Sequence, residues 1–135
     1  MYFDAMQMPI GQINPAALAY LGDAVFELMT REYLLHECQS HSGKLHRRAQ
    51  KLCSATGQAV AAKEVLPLLD EQELHQFKRG RNAALSVAKK DNPVIHCAAS
   101  GLETLFGMLY LEQKEDRLRA LFAVCLKVCL EEEGA

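Results

Sequence analysis

Apolar residues recur at three- and four-residue spacing along the 135-residue chain, and no stretch alternates with the period of two that a strand requires. Leu18, Leu21, Val25, Leu28 and Met29 share one side of a helix that Asn14-Pro15 opens, Asn as cap and Pro at the first helical position, and that runs to about Leu35. His36 to Gly43 is a polar connector. A basic helix follows from about Lys44 to Cys53, and another begins after Ser54 and ends near Pro67. Asp70 with Glu73 three residues on is the pattern of a capping box for a helix through KRGRNAALSV, in which Gly80 predicts a bend or a helix end. Asp91-Asn92-Pro93 breaks the chain before a long apolar helix to about Leu111, and a last helix covers about Glu115 to Glu131. The pattern predicts an all-α domain of six or seven helices.

Two acids interrupt this pattern. Asp23 lies in the apolar run LAYLGDAVFEL directly after Gly22, a residue that costs a helix interior about 1 kcal/mol relative to Ala. A carboxylate in an apolar helix is costly unless it is paired or binds a metal, and a residue without a side chain beside it lets a second backbone approach. On the wheel Asp23 falls opposite the apolar side, with Tyr20, Glu27 and Thr30. Glu27 has Arg31 four residues on as an ordinary partner, whereas Asp23 has no base at either neighbouring turn. The second acid is Glu103 in GLETLFGMLYL, among Ala99, Ser100 and Gly107, small residues at helical spacing. Such a face can pack closely on the Ala19–Gly22–Asp23 region. Two acids brought together there would either repel, raising one pKa, or share a hard cation such as Mg²⁺. A pair of separately satisfied structural acids is the alternative.

Composition narrows the picture. Half the residues are hydrophobic, enough for one core in a single domain, and the odd count of five cysteines predicts free thiols in a reducing compartment. Cys38 and His41 have a usable ligand gap for zinc, but no second pair completes a tetrahedral set, and Cys125 and Cys129 read as small core residues. The opening MYFDAMQMPI lacks the features of a signal peptide and no later segment reads as a bilayer span, so a cytoplasmic protein with no membrane partner is expected. The formal net charge of −2 conceals an asymmetry. Residues 44–90 hold ten Lys and Arg, among them Lys89 and Lys90, against four acids, which makes the middle about +6 and the flanks together about −8. That distribution suits a polyanion-binding face and equally a solvated basic surface.

LAYLGDAVFEL followed by GLETLFGMLYL resembles the two catalytic signatures of the ribonuclease III family, most closely its short bacterial form, Mini-ribonuclease III. The likeness runs from about Asn14 to Leu130 and takes in KRGRNA (78–83), the Lys44–Lys51 basic segment and KEDRL (114–118). The resemblance implies one catalytic domain over residues 1–135 without a double-stranded-RNA-binding domain. It also implies an Mg²⁺-dependent endoribonuclease for double-stranded RNA, acting as a homodimer with one active site per strand. Asp23 and Glu103 match the family's catalytic aspartate and glutamate and would hold the Mg²⁺, with Glu27 reaching it through a water. The family's further acids fall at Ala16, Ala19 and Ser100, a loss the short form shares, so fewer ligands remain here. Products would carry 5′-phosphate and 3′-hydroxyl ends. The physiological substrate would be precursor 23S ribosomal RNA, with a large-subunit ribosomal protein as a further partner.

On this reading the basic residues Lys44, Arg47, Arg48, Lys51, Lys78, Arg79, Arg81 and Asn82 grip the phosphates of a duplex recognised mainly by shape. A non-catalytic RNA-binding or ribosome-assembly module with the same fold is the competing reading, and a helical protein-interaction domain a third. The retained Asp23/Glu103 pair separates them, because a binding module has no use for two unpaired acids. Apolar residues at Phe26 and Leu34–Leu35 are candidates for a dimer face or, more simply, core.

Overall fold

The computed structural model describes residues 9–38, 42–87 and 92–134, excepting the side chains of residues 38, 42, 87 and 130–134. The side chain of the zinc candidate Cys38, and His41, the basic Lys89 and Lys90, and Asp91 of the predicted break therefore lie outside what is described. Among the described residues there are six α-helices and no strand: α1 (Pro15–Cys38), α2 (Ser42–Leu52), α3 (Ala55–Val65), α4 (Glu71–Val87), α5 (Pro93–Leu111) and α6 (Glu115–Gly134). Short 3-10 turns occupy Ile10–Gln12 and Leu66–Leu68. The all-α expectation holds.

Local signals set the helix starts. Asn14 accepts from the Ala16 N–H at 2.8 Å, Ser54 from Gly57 at 3.1 Å, and Asn92 from Ile95 at 3.5 Å. The Asp70–Glu73 capping box is formed reciprocally, Glu73 N–H to Asp70 at 2.8 Å and Asp70 N–H to Glu73 at 3.0 Å. Glu73 is then held by the Arg117 guanidinium through two bonds of 2.8 Å, which ties the start of α4 to α6 and keeps the Glu73 carboxyl below its ordinary range. At the other end of α5 the chain turns through Gln113, whose φ of 58° is left-handed, with Lys114 N–H reaching back to Leu109.

The apolar helix α5 runs through the middle of the domain, against α1, α3 and α4. Leu102, Leu105, Phe106, Met108 and Leu109 are fully buried, and Phe26 of α1 packs its ring against Phe106 and Phe122 at 5.4 Å each. By length and composition α5 is apolar enough to cross a membrane, which corrects the expectation that no segment is. Its apolarity follows from being covered on several sides by other helices.

Three other expectations change. Gly80 neither bends nor ends α4 but lies in its interior, where a Cβ would overlap the Thr104 hydroxyl of α5; it marks a close crossing. Thr30, placed opposite the core on the wheel, is fully buried and donates its hydroxyl to Phe26 O at 2.8 Å, whereas Leu28 is 56 % exposed. The buried arc of α1 is thus rotated from the wheel's, because the turn at Cys53, between α2 and α3, covers the Thr30 side. Phe26 and Leu34 are core residues, and of the suggested dimer positions only Leu35 is exposed.

Candidate active site

The site is a product of how closely α1 and α5 approach. A Cβ at Gly22 would overlap the carbonyl oxygen of Glu103, and one at Gly107 would overlap the carbonyl oxygen of Leu18. Each helix therefore presents a glycine to the other's backbone, which brings Asp23 and Glu103 to opposite sides of one seam. Their carboxyl groups lie within hydrogen-bonding reach of each other. The structure joins the two acids that the sequence singled out.

The burden of burial falls on Glu103 rather than Asp23. Asp23 is exposed at the rim, while Glu103 is half-buried in the seam. Burial pushes the Glu103 carboxyl up to about 8, and the hydrogen bond with Asp23 and its negative charge push the same way. The amide of Gln58 on α3, itself only 2 % exposed, opposes this by bonding to the ionised form. Sequence reasoning passed over Gln58, although a lone amide in ATGQAVAAKEV is the kind of buried polar residue that needs a reason. Cys53 stands nearby, its thiol pushed up by burial and by the charges of Glu27 and Asp23, and contacts Thr30 at 3.5 Å.

Glu27 is engaged by Arg31, as its spacing predicted. Among the described residues no group of three or more His, Cys, Asp or Glu converges on one point, so the acid pair itself is the candidate cation site. Two carboxyls that crowd each other into holding a proton form a donor set that a divalent cation can satisfy in the proton's place. Cys125 is buried and Cys129 half-buried in α6, and burial pushes the Cys125 thiol up to about 12.

Lys44, Arg47 and Lys51 of α2 are exposed and Arg48 is half-buried; on α4, Lys78 and Asn82 are exposed and Arg81 half-buried. Arg79 is different. Its guanidinium donates to Ile13 O and to the Gln76 side chain, both at 2.7 Å, and so fastens the segment before α1 to α4.

A family model described as Ribonuclease III domain matches residues 16–114, which span both acids and the helices that carry them. Fold and matched segment define the class: an all-α endoribonuclease domain acting on double-stranded RNA. Curated relatives include the Mini-ribonuclease 3 of Synechocystis sp., 45 % identical over 114 residues (83 % of this chain, 79 % of that protein). That of Enterococcus faecalis is 40 % identical over 119 residues (86 % and 90 %). The crystal structure of protein FN1578 from Fusobacterium nucleatum superposes with a TM-score of 0.78 at 26 % identity, covering 87 % of this chain and 95 % of that one. The chain belongs to the ribonuclease III family, in its Mini-ribonuclease 3 group.

Proposed function

We propose that this chain is an Mg²⁺-dependent endoribonuclease whose residues 1–135 act as one catalytic domain, with Asp23 and Glu103 as the catalytic and metal-holding pair. The observation that carries this reading is the meeting of the two carboxyls across the α1–α5 seam, where Glu103 is pushed to about 8. A structural pair would carry a base between its members; this one has only Asp23's charge and the Gln58 amide. Bound Mg²⁺ would supply an activated water for attack on the phosphodiester and stabilise the leaving 3′-oxygen, giving 5′-phosphate and 3′-hydroxyl ends. Asp23, at the rim, meets the RNA side. Glu103, inside the seam, is the more rigidly held ligand, and Glu27, engaged by Arg31, serves at most through a water.

Lys44, Arg47, Arg48, Lys51, Lys78, Arg81 and Asn82 position the duplex through its phosphates, each lost ion contact flattening the log–log salt dependence by about one unit. Arg79 contributes mainly by fastening the chain before α1. Cutting both strands calls for a homodimer. Tyr20 (85 % exposed), Leu28 and Leu35 form an exposed apolar side of α1 suited to that contact. The substrate we propose is precursor 23S ribosomal RNA in the cytoplasm, with a large-subunit ribosomal protein as helper.

The test is incubation of long double-stranded RNA with the purified protein in Mg²⁺ and in chelator. Cleavage should require the metal. Asp23→Asn should abolish it while leaving the helical circular dichroism signal and duplex binding unchanged. Wild-type cleavage by Asp23→Asn would overturn the mechanism, and a monomer at micromolar concentration in sedimentation would overturn the two-strand arrangement.

A further inference from the structure

Five polar or charged residues are fully buried among the described residues: Thr30, Gln58, Glu73, Gln76 and Thr104. Four have evident partners. Thr30 and Thr104 donate to the carbonyls of Phe26 and Ser100, Glu73 is held by Arg117, and Gln76 accepts from Arg79. Gln58 alone is left with a side-chain nitrogen that makes no well-formed hydrogen bond. A buried donor without an acceptor is destabilising, and an apolar side chain of the same size would cost less at this position.

The place of Gln58 suggests what it is for. Ser54 caps α3 and directs its first turn towards α5, so that the Gln58 amide lies against the Glu103 carboxyl. An amide nitrogen only donates and carboxylate oxygens accept, so Glu103 is the acceptor beside Gln58 that suits its orphaned N–H.

We infer that Gln58 is a positioning residue for the acid pair: its buried amide orients the Glu103 carboxylate towards a divalent cation shared with Asp23. This rests on the assignment of Asp23 and Glu103 as the metal-holding pair. Gln58 touches neither RNA nor metal; it acts through Glu103. Residues that hydrogen-bond a metal's ligands typically change affinity by about 10–100-fold when removed.

The experiment is Mg²⁺ binding by calorimetry to the RNA-free protein, for wild type, Gln58→Met, Gln58→Leu, Glu103→Gln and the Glu103→Gln/Gln58→Met double variant. Met keeps the length and volume of Gln, and thermal melts in chelator check that each variant folds. Gln58→Met should fold at least as stably as wild type, bind Mg²⁺ about 10-fold more weakly, and need correspondingly more Mg²⁺ for half-maximal cleavage. Its duplex binding in chelator should be unchanged. Within Glu103→Gln, the same substitution should add nothing.

Wild-type Mg²⁺ affinity in both folded Gln58 variants, with Glu103→Gln impaired, would overturn the role of Gln58 and leave the acid pair standing. So would an equal further loss in the double variant, since Gln58 would then act without Glu103. Wild-type affinity in Glu103→Gln would overturn the acid pair itself.

Discussion

Replacing Glu103 by Gln should stabilise the metal-free protein while removing its activity. In the unfolded chain this carboxyl ionises near 4.5, and in the fold it is pushed up to about 8. Between those values the folded state holds a proton that the unfolded state has released, so stability falls as pH rises, by about 1.4 kcal/mol per unit. The loss begins above the unfolded pKa and is complete above the folded one. Taken at face value it amounts to roughly 3 kcal/mol by pH 7; because solvent reaches part of the carboxyl, about 2 kcal/mol is the expected figure. Gln has the shape of protonated Glu and cannot ionise. Urea unfolding at pH 5, 7 and 8, in chelator and at one protein concentration, should therefore show Glu103→Gln ahead by about 2 kcal/mol at pH 7 and further ahead at pH 8. The two should nearly coincide at pH 5. A gap that does not vary with pH, or a Gln variant less stable than wild type at pH 8, would refute the reasoning.

Three further outcomes follow from other parts of the fold. Gly22→Ala gains about 1 kcal/mol of helix propensity but drives a Cβ into the Glu103 carbonyl, so a net loss of about 2 kcal/mol is expected in urea, with cleavage lost; a more stable variant would contradict the seam. Arg117→Ala leaves the buried Glu73 carboxylate without its guanidinium and should cost about 2 kcal/mol at neutral pH. Because the folded Glu73 pKa is depressed, its contribution is present above about 4.5 and lost as pH falls through the folded value, so the variant's acid unfolding limb should be flatter. Gln113→Gly relieves a left-handed residue and should add about 0.5–1 kcal/mol, read as a rise in melting temperature; a fall would show that the Gln side chain matters more than its backbone.

The helix starts were legible because their causes are local: Asn14, Ser54, Asp70 with Glu73, and Asn92 act within three residues of where they stand. Asp23 and Glu103 were legible because each breaks a periodic pattern, and Gly22 and Gly107 because small residues beside an acid invite a second backbone. What escaped depends on which helix lies against which. Gly80 has the same sequence appearance whether it ends a helix or admits Thr104, and only the α4–α5 crossing decides. Thr30 and Leu28 exchanged places because the core side of α1 is set by α5 and by the turn at Cys53, both distant in the chain. Gln58 faces Glu103 across 45 positions, and nothing nearby in the sequence names its partner.

The glycine seam also bears on how the enzyme fails. Most catalytic groups sit on loops that open before the rest of a domain does. Here the two acids proposed as catalytic ride on the two most extensively paired helices, one of them the central helix, and their separation is set by main chain against main chain. Parting them requires parting α1 from α5, which is the unfolding of the domain. On heating, activity should persist to the global transition and vanish with it, and amides flanking Gly22 and Gly107 should be among the last to exchange. An enzyme built this way has little range between fully competent and unfolded, and whatever regulates it has to act on access to the RNA or on assembly.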